Sequence, residues 1–303
     1  MKKIPLIIDC DPGVDDAFAI FAANYLEEID IKAITSVNGN VNIDYTTRNA
    51  LYLADLLDID CPVARGESRP IVKPLHQFSD THGSDGFGGS LNLFTDEVKK
   101  KLSNKDAVIL IRDILLNSDE KINIAAVGPL TNIAMLFKAY PEVKEKINVL
   151  SIMGGAINNG NVTPCSEFNF HVDPEAASIV LNSGVPIILS GLNLTYSATL
   201  TEENLKEMKE IGTKISDIGV AMVVDYISKD NAIHDPCAIL ALTNPEMFES
   251  QDMFVQVDTR DGITRGMSYA DNRKKCTDKP NCKILTKMDV EKFRKYMVKS
   301  LRV

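Results

Sequence analysis

Apolar residues follow two rhythms along this chain. Short, nearly unbroken runs at Leu6–Asp9, Ile31–Val37, Ile122–Val127, Val149–Met153 and Pro186–Ser190 predict strands buried on both faces. Between them the apolar spacing turns helical, at Val14–Glu28, Ile43–Leu57, Thr131–Ala139 and Glu175–Asn182. The last of these opens on Asp173-Pro174, a capping residue followed by a proline suited to a first turn, and stops before Gly184. Strands that alternate with helices predict an α/β fold with a mostly parallel central sheet flanked by helices. Arg65–Thr95 breaks the pattern, and "THGSDGFGGS" (Thr81–Ser90) reads as a flexible loop. Residues 254–288 read as late strands with turns, and Val290–Leu301 as a closing helix. With no linker, repeat or low-complexity tract, one domain over 1–303 is the expectation.

Composition adds exclusions. Hydrophobic residues make up 45% of the 303 positions, enough to bury a large core without disulfide staples. The net charge of −9 argues against a nucleic-acid or anionic-membrane surface. No run of 18 apolar residues suggests a membrane span, and the start does not read as a signal peptide. The six cysteines form no C-x-x-C pair, although Cys276 and Cys282 could approach each other. Reduced thiols and a cytoplasmic location are expected.

The chemistry concentrates in "DCDPGVDD", Asp9 to Asp16. Asp9 and Asp11 end the first strand, Pro12-Gly13 turns the chain, and Asp15 and Asp16 begin the next helix. One such aspartate is ordinary at a helix N-terminus. Four together repel one another and raise each other's pKa unless a hard cation such as Ca²⁺ or Mg²⁺ joins them.

That segment resembles the N-terminal motif of the nucleoside hydrolases, which cut the N-glycosidic bond of ribonucleosides. "VGPLTNIA" (Val127–Ala134), "IMGGA" (Ile152–Ala156), "GN" (Gly160-Asn161), "EFNFHVDPEAA" (Glu167–Ala177) and "HDPCAI" (His234–Ile239) resemble later family segments in the same order. The resemblance implies Ca²⁺ held by Asp11, Asp16, the Val127 carbonyl and Asp235, with Asp11 also the general base. Many relatives have Thr at the position of Val127, and coordination by a carbonyl survives that change. Asp9 would have a supporting role, hydrogen-bonded to neighbouring backbone.

By the same resemblance Asp15 meets the ribose 2′-hydroxyl, Asn169 the 3′-hydroxyl, and Asn161 and Glu167 the 5′ end. Asn40 lies near metal and ribose, and Met153 lies under the sugar. Taken alone, Asn161 would read as a turn residue and Met153 as core. His234 would protonate the leaving base, and His82, in the mobile loop, would bind the base. His76 and His171 read as surface or satisfied core residues. Tyr226 belongs to the base side, and Phe168 is expected to point into the core.

The absence of Trp closes the tryptophan stacking used by purine-specific relatives. It points to the branch that accepts inosine and uridine or prefers pyrimidine nucleosides. A homotetramer or homodimer is implied. Two rival readings remain: a ribose or nucleoside sensor that binds without cutting, and a haloacid-dehalogenase-type phosphatase with Asp9 as nucleophile.

Overall fold

The computed structural model describes residues 3–74, 80–94, 97–271, 273 and 278–302. His76 and Cys276 lie outside them. The chain starts on β1 (Ile4–Cys10), with every residue after Ile4 buried. It passes through α1 (Val14–Tyr25) to β2 (Ile29–Ser36), and through α2 (Ile43–Leu56) to β3 (Val63–Arg65). Next come α3 (Ala107–Leu116), β4 (Ile122–Ala126), α4 (Thr131–Ala139) and β5 (Ile147–Met153). Helices α5 (Phe168–Val172) and α6 (Pro174–Leu181) precede β6 (Ile187–Ser190). Four helices follow: α7 (Leu192–Thr195), α8 (Glu202–Glu210), α9 (Lys214–Tyr226) and α10 (Pro236–Thr243). The C-terminal part holds β7 (Phe248–Met253), β8 (Val255–Val257), β9 (Ser268–Ala270), β10 (Cys282–Met288) and α11 (Val290–Lys299).

Eight strands form one sheet in the order β3-β2-β1-β4-β5-β6-β10-β7. All neighbours are parallel except β10 and β7, which pair antiparallel; β8 and β9 form a separate ribbon. Alternate residues of β1 enter opposite cores. Ile8 packs with α1 and α10 on one side, and Ile7 with α3, α4 and α6 on the other. The α/β expectation therefore holds, and both faces of the sheet are covered, as near-continuous apolar strands require.

Strand order reverses at β1. The chain first runs outward through β2 and β3, then returns to place β4 on the other side. Ligands of open α/β sheets bind outside the carboxyl ends of the strands at such a switch point. Here that crevice is bounded by the loops after β1, β2 and β4, which carry Asp11, Asn40 and Val127.

Helix ends differ from the expected ones where backbone groups find other partners. The first helix stops at Tyr25 rather than Glu28, because Leu26 is extended and the Glu28 carbonyl accepts the Ile4 N–H. Asp173 caps α6 as expected, accepting from the Ala176 N–H with Pro174 in the first turn. The expected loop between β3 and α3 shows only two short 3-10 turns among its described residues, Asp80–His82 and Ser90–Leu93.

Candidate active site

Asp16 caps its own helix. Its Oδ2 accepts from the Gly13 N–H at 2.9 Å and its Oδ1 from the Asp11 N–H at 3.1 Å. Asn40 then ties the turn after β2 to the turn after β1. Its backbone N–H donates to Asp11 Oδ2 at 2.6 Å, and its Nδ2 donates to the Asp11 carbonyl and to Asp16 Oδ2. Gly39 and Gly128 come close on either side, where a Cβ would collide with the Asp11 carboxylate.

Asp15, Asp16 and Asp235 are buried, and each offers an oxygen within 4.8 Å of the other two. Asp11 is tied to this group by its backbone N–H, which donates to Asp16 Oδ1. Its own Oδ1 is buried without any hydrogen-bond partner. Burial, then the Asp16 charge, raise the Asp11 pKa well above the usual carboxylate range. Burial, then Asp15, lift Asp16 to about 7. Burial, then Asp15 and Asp16, raise Asp235. These carboxylates cannot all carry charge at neutral pH without a compensating cation. The donor set is oxygen-only, and one of its oxygens is orphaned, which fits a hard divalent ion.

Asp9 stands apart from this group. Its Oδ1 accepts from Thr35 Oγ1 at 2.5 Å and from Asn132 Nδ2 at 2.7 Å, so its partners are side chains rather than the expected backbone. A fully buried carboxylate held this way is not placed to attack a phosphoryl group, which removes the phosphatase reading. Asn132 also donates to the Ser36 carbonyl and accepts from the Glu67 N–H. Asn132→Ala deletes all three bonds and leaves a buried carboxylate with one fewer donor. A loss of roughly 2–4 kcal/mol in unfolding free energy is expected from denaturant titration, and a loss under about 0.5 kcal/mol would contradict this account.

A cleft of about 720 Å³ opens above the cluster. Asp15, Asn40, Val127, Met153, Asn161, Glu167, Asn169, His82, His234 and Asp235 all line it, so every expected site residue except Asp11 and Asp16 meets the cleft directly. Glu167 caps α5. Its oxygens accept from the backbone N–H groups of Asn169, Phe170 and Gly155, and burial raises its pKa despite them. Asn169 Nδ2 donates to the carbonyls of Val127 and Met153, which leaves its Oδ1 to meet a ligand. Asn161 Oδ1 accepts from the Phe168 N–H.

The two cleft histidines are set differently. Val14, at the start of α1, donates its N–H to His82 Nδ1 at 3.1 Å, which puts the ring hydrogen on Nε2. Asp15 lies 3.8 Å from the same nitrogen, too far for a hydrogen bond. Burial lowers the His82 pKa, outweighing the pull of Asp15. His234 Nδ1 meets Thr195 Oγ1 at 2.8 Å, and its Nε2 meets Asp230 Oδ2 at 3.2 Å. Burial opposes charge on this ring, but the Asp230 bond and charge outweigh it and its pKa is raised. His171 bonds Ser166 away from the cleft, as a satisfied structural histidine.

Aromatic side chains complete the walls. Tyr226 is buried with its ring 5.2 Å from that of His82, and its hydroxyl donates to the Ala232 carbonyl. Tyr196 stands edge-on to His234 at 5.8 Å. Phe168 lines the cleft and Phe170 fills the core, which reverses the expectation for Phe168. Two positions apart on a short helix lie on nearly opposite sides, so only one of the pair can face inward. Tyr196, Thr195 and Asp230 carry no signal in the sequence alone, because each gains its place from a contact between segments.

Comparison with known proteins supplies the family and agrees with the fold. Residues 6–295 match the family model of the inosine-uridine preferring nucleoside hydrolases. The chain is 40% identical over 299 residues to the non-specific ribonucleoside hydrolase RihC of Salmonella schwarzengrund, covering 97% of this chain and 96% of that protein. The fold superposes on a purine-preferring ribonucleoside hydrolase from Gardnerella vaginalis with a TM-score of 0.88, at 30% identity over 98% of both chains. A plant nucleoside hydrolase gives a TM-score of 0.90, also at 30% identity over 98% of both chains.

Proposed function

This chain belongs to the inosine-uridine preferring nucleoside hydrolase family, and we propose that it hydrolyses the N-glycosidic bond of ribonucleosides with Asp11 as general base. The observation that carries this role is Asp11 Oδ1, a buried carboxylate oxygen without a hydrogen bond, on a side chain that feels the charges of Asp16 and Asp15. Asp11, Asp16, Asp235 and the Val127 carbonyl are the proposed ligands of Ca²⁺, beside Asp15. When bound, the ion would offset their charge, orient a water and lower its pKa.

The rest of the chemistry falls to side chains. Asn40 fixes Asp11 Oδ2, so a proton from the attacking water goes to Oδ1. Asp15 takes the ribose 2′-hydroxyl, Asn169 Oδ1 the 3′-hydroxyl, and Asn161 and Glu167 the 5′ end, with Met153 beneath the sugar. As the C1′–N bond breaks through an oxocarbenium-like state, its electron pair leaves with the base. His234, whose ring lines the cleft, passes a proton to a base nitrogen and is left neutral. His82 Nε2–H and the Tyr226 ring flank the base.

The base side holds tyrosines, Phe168 and histidines but no tryptophan. This supports use of inosine and uridine, or a pyrimidine preference. A homotetramer or homodimer and a cytoplasmic location are proposed with it. The described cysteines are free, which agrees with a reducing compartment, and no described helix is long and apolar enough to cross a membrane.

The test is ribose release from inosine, uridine, cytidine and adenosine, before and after chelation and again with calcium restored. Chelation is expected to cut release by more than about tenfold, and calcium to restore it. Release that persists through chelation rejects the metal role. No release from any of the four rejects the hydrolase assignment.

A further inference from the structure

We propose that Tyr196 is a specificity-determining residue whose phenol hydroxyl bonds the 5′-hydroxyl of the bound ribonucleoside. This rests on the hydrolase reading above and adds to it a residue that no motif of the sequence marks. Tyr196 closes α7, its N–H donating to the Leu192 carbonyl. The start of that helix docks on the turn after β5. There the Leu192 N–H donates to the Gly155 carbonyl at 2.9 Å, and the Gly155 N–H donates to Glu167 Oε2 at 2.8 Å. The end of the helix docks on the base side, where Thr195 Oγ1 meets His234 Nδ1 at 2.8 Å. A four-residue helix rises only about 6 Å, so Tyr196 stands close to both walls.

Its ring lines the cleft together with Asn161, Glu167 and His234, and meets the His234 ring edge-on at 5.8 Å. The residue is 43% exposed, and among the described residues its hydroxyl has no hydrogen-bond partner. Burial, then the carboxylates of Asp230 and Glu167, raise its pKa, which agrees with a hydroxyl set between the base side and the 5′ side.

Substrate stereochemistry brings the 5′-hydroxyl to that gap. In a β-ribonucleoside the base and C5′ rise from one face of the ring, and the 2′- and 3′-hydroxyls from the other. Asp15, Asn169 and the acidic cluster take the 2′,3′ face, so base and C5′ both point away from it. Glu167 as a carboxylate can only accept, and it takes the proton of the 5′-hydroxyl. The lone pairs of the same oxygen then need a donor, which the Tyr196 O–H supplies beside Asn161 Nδ2.

A simpler role for this ring is that of a wall against His234. The two roles separate at the hydroxyl. Tyr196→Phe keeps the ring and its edge contact and removes one oxygen that no described residue bonds, so its melting temperature should match wild type. Its kcat/KM for uridine is expected to fall about fivefold to tenfold, the yield of one hydrogen bond, chiefly through KM. For 5′-deoxyuridine, which has nothing for the phenol to bond, the same substitution should change kcat/KM by less than about twofold.

Equal losses on the two nucleosides would place the hydroxyl on the base or on His234 and overturn the proposal. An unchanged uridine rate would leave the ring as a wall and overturn it too. Both results keep the hydrolase reading in place. If wild type itself released no ribose from uridine, that reading would fail first and this one with it.

Discussion

Asp11→Asn is expected to lower kcat for uridine by about 10²–10⁴-fold while the protein stays folded. The substitution is nearly isosteric, and its amide oxygen can still accept the Asn40 N–H that now bonds Oδ2. What disappears is the basic oxygen. At Oδ1 no donor compensates the change, because that atom has no partner to lose. Burial, then the neighbouring carboxylates of Asp16 and Asp15, raise the Asp11 pKa, so removing this charge relieves a desolvation cost and repulsion inside the fold. Melting temperature should therefore hold or rise as activity collapses, an exchange of stability against function common at active sites. Ribose release measured beside circular dichroism melting decides the matter. More than a tenth of wild-type turnover would sink the general-base role.

The second large effect is expected from the substrate side. 2′-Deoxyuridine should be cut with a kcat/KM at least about a thousandfold below uridine, roughly 4 kcal/mol of transition-state binding. Asp15 is buried at the start of α1, lines the cleft, and belongs to the convergent acidic group. Without the hydroxyl it keeps its desolvation cost and loses its partner, and such unpaired buried groups cost about 1–3 kcal/mol each. Comparable rates on the two nucleosides would remove Asp15 from its assigned place.

Much of this arrangement could be read from the chain, for identifiable reasons. Strand β1 and helix α4 announce themselves because buried strands are continuous in apolar residues and helices are periodic. The acidic turn stands out because carboxylates that close in sequence must also be close in space. Helix α10 gives no such signal: it is apolar on nearly every side, so its spacing has no direction to report. Helix α8 fails in the opposite sense, with one buried residue, Met208, among charged neighbours. The His234 environment was hidden for a third reason. Thr195 and Asp230 flank the ring only because α7 and the turn before α10 meet in the folded state, and no local pattern encodes that meeting. Asn132 did leave a trace, as a polar residue inside an otherwise apolar helical run, but its bond to Asp9 spans 123 positions and only the fold reveals it.

The sheet order also bears on how the chain folds during synthesis. Strand β7 emerges before β10, yet β10 lies between β6 and β7. Until Cys282–Met288 leaves the ribosome, β6 has an unpaired edge and β7 has no neighbour to dock on. Open edges of this kind template wrong pairings with other chains. The interval between making β6 and making β10 is a stretch of translation in which this protein is exposed to aggregation, and in which a chaperone that shields strand edges has an open edge to protect.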